Sequence, residues 1–413
     1  MKKLYILISL SLSFSLVKAD YWTQKADFGG TPRNYAAAFS IGNKGYVGTG
    51  WDSISSITND FWEYDPMTNT WTQKANFAGP SRCYATGFSI GNKGYIVSGG
   101  NVYLGENDFW EYDPSLNIWT QKNNALGLGR LCAVSFSIGN KGYFGTGIAD
   151  LFNMTYFHSD FWQYDPATDT WSQKASVPSA GLASAYYGAA GFSIGTKGYL
   201  GTGVWNPAML FADCFFEYDP VVNVWTQKAN YGGGAVYGAV GFSIGSKGYF
   251  GTGTGFQNDF WEYDPSNDTW TQKTDFPGLG RLGAIGFTIE CKGYMGTGMS
   301  QFGSTQFFSQ DFWEYTPDSA CATGIEDAST PRSITFTISP NPAPRYAVIS
   351  CQSAENKKVK ITLTDIHGKK MFQKLLLTAN CSLQIDLNNF SKGIYFVEVA
   401  VGKEKAVKKF LKE

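Results

Sequence analysis

An arginine stands six residues ahead of a recurring phenylalanine at Arg33, Arg82, Arg130 and Arg281, while Tyr186 and Val236 hold the same place in two further copies. Guanidinium groups gathered in an arc suit bidentate capture of a carboxylate or sulfate. The same pattern also suits a structural tie, in which each arginine pairs with a carboxylate of its own repeat, and this is the favoured reading because scaffold ion pairs recur in the same way. A glutamate recurs too, at Glu63, Glu111, Glu217, Glu262 and Glu314, with Gln163 in the remaining copy. General acid–base catalysis needs one carboxyl made unlike its neighbours. These are alike in nearly every copy, which marks them as scaffold.

Other chemistries lack their residues. The only histidines are His158 and His367, too far apart in sequence to suggest the paired imidazoles of a copper site. The seven cysteines (Cys83, Cys132, Cys214, Cys291, Cys321, Cys351 and Cys381) show no CxxC spacing, which leaves a zinc site without support. HExxH helices and phosphate loops are missing. No catalytic residue, metal ligand or cofactor is assigned, and a binding protein is expected rather than an enzyme.

The elements that position these residues follow from self-similarity. The phrase Phe-Ser-Ile-Gly-x-Lys-Gly-Tyr begins at Phe39, Phe88, Phe136, Phe192 and Phe242, with an altered copy at Phe287. Asp-Phe-Trp-Glu-Tyr-Asp-Pro or a variant begins at Asp60, Asp108, Asp160, Asp213, Asp259 and Asp311. Trp-Thr-Gln-Lys or a variant begins at Trp22, Trp71, Trp119, Trp171, Trp225 and Trp270. Each unit reads as four short antiparallel strands, a to d, predicted in the first unit at 35–41, 45–50, 60–64 and 70–74, with Gly- and Asp-Pro-bearing tight turns between a and b and between c and d. Small residues crowd strands a and b, and Trp, Tyr and Phe crowd c and d, as blades converging on an axis require. The strand at Trp22 precedes any strand a, and the last unit lacks a strand d. The N-terminal strand is therefore expected to complete the last blade and close a six-bladed β-propeller over residues 20–318, removing exposed sheet edges.

On these residues the chain resembles a kelch-repeat propeller. The likeness rests on Pro32-Arg33 before strand a, Tyr64-Asp65-Pro66, and Trp71 six residues after that aspartate. Strand b departs from the family pattern, with Gly48-Thr49-Gly50 in place of paired glycines except at Gly99-Gly100.

Both ends carry a different texture. Residues 1–19 combine Lys2 and Lys3, an apolar run from Leu4 to Val17 and a small-residue close at Ala19, which reads as a signal peptide too short for a stable membrane anchor. Net charge is −1, which suggests no nucleic-acid partner, yet residues 334–413 carry 13 Lys and Arg against 6 Asp and Glu, and all 13 Trp lie earlier. After a Ser/Thr/Pro-rich linker at 319–333, period-two alternation through 334–413 predicts a small Ig-like β-sandwich. This segment resembles the C-terminal sorting domain of type IX secretion in the Bacteroidetes. The matching residues are Ser339-Pro340-Asn341-Pro342, Asp365-x-x-Gly368, Lys392-Gly393-Ile394-Tyr395 and the basic Lys408-Lys409-Phe410. The resemblance implies passage through the periplasm to the cell surface or medium, and contact with the secretion machinery; an ordinary accessory sandwich is the alternative. Export permits disulfides, but seven cysteines cannot all pair; Cys351–Cys381 is the one bridge considered.

Strand direction puts the b–c and d–a connections on one face, and the b–c set is irregular in length. Loops shown by a rigid scaffold carry function. Trp51, Tyr103, Tyr156, Trp205 and Phe256 from these loops, with the four arginines, form the candidate ligand-binding set. Their flat rings suit stacking on sugars or anchoring a protein partner, or else fold inward to cap the blades. A surface glycan- or protein-binding module is expected. The alternative is a sugar-modifying enzyme, since some bacterial kelch propellers resemble sialic-acid mutarotases.

Overall fold

The computed structural model describes residues 20–52, 57–101, 103–125, 127–153, 155–178, 186–205, 210–303, 305–318, 334–339, 343, 345–353, 358–365, 369–377, 380–401 and 404–412. The signal peptide, the 319–333 linker with Cys321, His367, Gly368 and residues 340–342 of the Ser-Pro-Asn-Pro motif lie outside the described residues. The chain divides into two compact units, Met1–Thr323 and Gly324–Glu413.

Six four-stranded antiparallel sheets occupy the first unit, and no helix occurs among the described residues. Blade 1 consists of Ala37–Ile41, Lys44–Gly48, Phe61–Asp65 and Thr70–Gln73 in that spatial order. Blades 2 to 5 repeat this order. Blade 6 takes Ile285–Ile289, Lys292–Gly296 and Phe312–Thr316 from the end of the unit and its outer strand, Tyr21–Gln24, from the beginning. Trp22 lies opposite Tyr315 in that pair, so the terminal strand fills the vacant edge.

Inter-blade packing is the same at every joint and passes through residue 1 of the cycle as readily as any other. The strand-b glycine of each blade receives the strand-a phenylalanine of the blade before it. A β-carbon on Gly94 would lie 2.1 Å from the Phe39 ring, and one on Gly45 would lie 2.3 Å from the Phe287 ring. Only glycine admits so close an approach. Phe287 belongs to blade 6 and Gly45 to blade 1; the ring is closed by packing as well as by pairing.

Two strand boundaries differ from the sequence expectation by two residues. Strand a begins at Ala37, not Tyr35, because Tyr35 adopts φ +48°. Strand b ends at Gly48, not Gly50, because Thr49 turns left-handed at φ +62°. Ser98, Thr146, Thr202, Thr252 and Thr297 repeat the latter step. A β-branched or hydroxyl residue is strained in that region and persists only where neighbours over-determine it.

The second unit is a sandwich of a three-stranded sheet (Ile334–Ser339, Tyr346–Ser353, Asn380–Asp386) and a four-stranded one (Lys370–Leu377, Lys358–Asp365, Gly393–Val401, Glu404–Lys412). Alternate residues such as Ile349, Val359, Ile361, Val397 and Val399 are buried between them. The register sets Cys351 directly opposite Cys381 on adjacent strands. Cys83, Cys132 and Cys214 are free thiols.

Candidate functional site

The d–a and b–c connections meet in every blade. Asn34 pairs with Trp51, Cys83 with Gly100, Leu131 with Ile148, Tyr187 with Val204 and Leu282 with Met299. In blade 5 the amide of Thr254 donates to the carbonyl of Tyr237 at 3.0 Å. The irregular segments are thus tied to one another blade by blade.

Beneath them the four arginines are sealed. Each guanidinium is 0–1 % exposed. Arg33 Nη1 and Nη2 donate to Asp60 Oδ1 and Oδ2 at 2.5 and 2.8 Å, and Nη1 also donates to the carbonyl of Thr49 at 2.9 Å. Arg82–Asp108, Arg130–Asp160 and Arg281–Asp311 repeat the fork, with carbonyls of Ser98, Thr146 and Thr297 in the third place. The guanidinium carbon lies 4.4–5.1 Å from the ring centre of Phe28, Phe77, Phe144 or Phe276. With edge and face both occupied, these groups cannot also hold a ligand. The ligand-binding role expected for Arg33, Arg82, Arg130 and Arg281 is therefore corrected: they are clamps that fix the left-handed exit of strand b to strand c. Burial pushes the carboxyl pKa of Asp60, Asp160 and Asp311 up, but the arginine hydrogen bond and charge outweigh it and hold each below the usual value. The recurrent glutamates are likewise structural, since Tyr46 donates to Glu63 and Tyr294 to Glu314, each at 2.7 Å.

The aromatic candidates do not form one cluster. Tyr103 is 55 % and Phe152 75 % exposed, and their rings meet edge to face at 5.9 Å. Tyr156 is 68 % exposed, with φ +58°. Trp51 is half-buried and packs against Phe308 from blade 6 at 6.1 Å. Phe256 is half-buried at φ +55°. Trp205 lies in the short strand Val204–Trp205, opposite Tyr186. The exposed rings of Tyr103, Phe152 and Tyr156 therefore come from blades 2 and 3, while Trp51 belongs to the joint of blades 6 and 1.

What the sequence reading missed lies on the axis. The residue four before each repeat phenylalanine is Tyr35, Tyr84, Cys132, Gly188, Gly238 and Gly283 in turn. All six have φ between +48° and +66°. Their amides and carbonyls form one closed hydrogen-bonded ring: Tyr84 to Tyr35 (3.1 Å), Cys132 to Tyr84 (3.1 Å), Gly188 to Cys132 (2.9 Å), Gly238 to Gly188 (2.8 Å), Gly283 to Gly238 (3.1 Å) and Tyr35 to Gly283 (2.8 Å). The signal was present as a position that varies while its flanks repeat.

This ring rims a cavity of about 150 Å³ whose wall includes Tyr35, Tyr84 and Cys132 on one side and Gly188, Gly238 and Gly283 on the other. A second cavity of about 150 Å³ continues down the alanine- and glycine-lined axis between the inner strands. The Tyr35 ring packs on the Tyr84 ring at 4.3 Å and reaches across the axis to blade 5, where its hydroxyl lies 3.3 Å from the point a β-carbon on Gly238, next to Tyr237, would occupy. Tyr237 in turn stacks with Phe211 at 5.6 Å. Burial, then the neighbouring thiol and phenols, push the pKa of Tyr35 and Tyr84 far up, and burial does the same for Cys132 and Tyr237. At neutral pH the mouth carries uncharged hydroxyls and a protonated thiol. Such a surface donates and accepts hydrogen bonds and stacks on flat apolar faces. No cluster suited to a metal ion occurs among the described residues.

Residues 32–77 match the family model of the Kelch motif, and residues 337–413 match that of the secretion system C-terminal sorting domain. No curated protein matches the chain. A solved structure titled "Structure of YjhT" is similar over 71 % of this chain and 97 % of its own, with a TM-score of 0.58 and 19 % identity, a likeness of fold. The repeat register, the six four-stranded sheets and these two matches agree on a propeller of kelch-like repeats followed by a type IX secretion C-terminal sorting domain.

Proposed function

We propose that the protein is an exported carbohydrate-binding module whose ligand seats a neutral sugar ring at the axial mouth. The observation that carries this reading is the partly accessible, uncharged tyrosine set Tyr35, Tyr84 and Tyr237 over a glycine-rimmed cavity, in a face whose arginines are all consumed internally. Sugar recognition combines stacking of C–H faces on aromatic rings with hydrogen bonds to phenolic hydroxyls. The exposed rings of Tyr103, Phe152 and Tyr156 extend the same chemistry outward for a longer glycan. Export to the surface or medium follows from the sorting domain and suits extracellular glycans.

A glycan array followed by calorimetry on the mature chain tests this. Tyr237→Ala, which removes one hydroxyl and one stacking face, should weaken the best array ligand at least about tenfold. Absence of any retained glycan would overturn the reading and direct attention to a protein partner on the same face. The enzymatic alternative, mutarotase-like sugar modification, needs a group that exchanges protons near neutral pH. The mouth offers only phenols and a thiol with pKa pushed upward, so binding without turnover is the reading adopted. Acceleration of anomeric exchange in proton NMR would reverse that choice.

A further inference from the structure

Blade 5 retains the whole setting of an arginine clamp except the arginine. Asp259 holds the place of Asp60, Asp108, Asp160 and Asp311, and Trp261 Nε1 donates to its Oδ2 at 2.7 Å as the equivalent indoles do elsewhere. Thr252 repeats the left-handed step whose carbonyl accepts the guanidinium in the other four blades. Tyr231 replaces the phenylalanine that lies under the guanidinium in blades 1, 2 and 6, and Val236 replaces the arginine.

Two polar atoms are left over. Asp259 Oδ1 and the hydroxyl of Tyr231 are buried without a hydrogen-bond partner, and Tyr231 as a whole is 3 % exposed. They face one spot. A β-carbon on Gly233 would sit 2.5 Å from Asp259 Oδ2 and 2.6 Å from the Tyr231 hydroxyl. At the matching glycines of blades 1 and 6, that point lies 2.8 Å from Arg33 Nη2 and 2.5 Å from Arg281 Nη2. Gly232-Gly233-Gly234 borders the spot, and a β-carbon on Gly234 would meet nothing within 4 Å. A buried carboxylate oxygen and a buried hydroxyl without partners cost free energy until something satisfies them.

We propose that this slot is a binding site for a guanidinium group supplied from outside the chain, such as the side chain of an arginine in a ligand. The carboxylate would take two N–H donors, the Tyr231 hydroxyl and Thr252 carbonyl would accept others, and the Tyr231 ring would lie against the planar cation. The carboxyl pKa supports the picture: burial raises that of Asp259, where the arginine-paired equivalents Asp60, Asp160 and Asp311 are lowered. This site is independent of the sugar-binding mouth.

The probe is methylguanidinium chloride at millimolar concentration, with the mature chain and thermal unfolding as readout, against sodium and potassium chloride at matched ionic strength. Methylguanidinium should raise Tm by about 2 °C or more through ligand linkage. The shift should vanish in Asp259→Asn. Val236→Arg should fill the slot from within, raising Tm by about 2–4 °C without ligand and abolishing the response to the probe. Equal responses of wild type and Asp259→Asn, an identical shift with either alkali salt, or a lower Tm in Val236→Arg would each overturn the proposal.

Discussion

Each clamp arginine works as a five-donor plug in a water-excluded joint, and its removal strands more than one acceptor. Arg82→Ala would leave Asp108 and the carbonyl of Ser98 buried beside the Phe77 ring without their shared cation. Removing one partner of a buried pair typically costs about 3–5 kcal/mol, and denaturant unfolding of Arg82→Ala should show a loss of that size. Arg82→Lys keeps the charge but not the planar fork, and should recover only part of it. The same groups set the response to acid. Asp60, Asp160 and Asp311 have lower carboxyl pKa values folded than unfolded. Between those values the unfolded chain binds more protons, so their stabilisation is present above the unfolded carboxyl pKa and is lost as pH falls through the folded one. Urea midpoints should therefore hold steady from pH 7 to about pH 5 and decline below about pH 4, with a shallower decline in a variant lacking one clamp.

At the scale of the strand and the blade, the repeat dictates what can be read in advance. Each of the six units had to bury a face that a lone four-stranded sheet leaves open, and the strand order, the outer position of Trp71 or Trp119 and the borrowed strand at Trp22 all follow from the three phrases. Arg33, Arg82, Arg130 and Arg281 were visible for the same reason, but spacing gives no burial, and burial is what separates a clamp from a ligand site. The mouth was hidden because its chemistry sits where the repeat breaks: Tyr35, Tyr84 and Cys132 share a backbone position with three glycines, and only the closed ring brings Tyr35 against Tyr237 from a non-adjacent blade. The borrowed strand carries its own prediction. Trp22 packs edge-on to Phe260 at 5.0 Å and Phe276 at 5.3 Å, and its indole donates to the carbonyl of Thr274 at 2.9 Å. Trp22→Ala should cost about 3 kcal/mol, and its loss should appear as faster unfolding when followed by tryptophan fluorescence. Gly94→Ala, which drives a methyl into Phe39 of the preceding blade, should destabilise by about 1–3 kcal/mol.

For the molecule as a whole, two separate cores and two match regions describe a propeller and an export tag with different obligations. The propeller core is a cyclic set of aromatic joints, and the sandwich core is an aliphatic layer around Ile349, Ile361 and Val397. Units with their own cores, joined by a Ser/Thr/Pro-rich segment, unfold independently. Calorimetry on the mature chain should then resolve two transitions, and a chain ending at residue 333 should keep the propeller transition within about 2 °C of its position in the full chain. The same truncation should abolish export while leaving glycan affinity unchanged, because the tag is read by the secretion machinery and the mouth by the ligand. Fractionation of cells making both forms checks the first half, and calorimetry with the array ligand the second. A truncated chain that still reaches the surface would mean that the sorting function resides in the propeller, and a truncated chain that loses its ligand would mean that the sandwich contributes to the site.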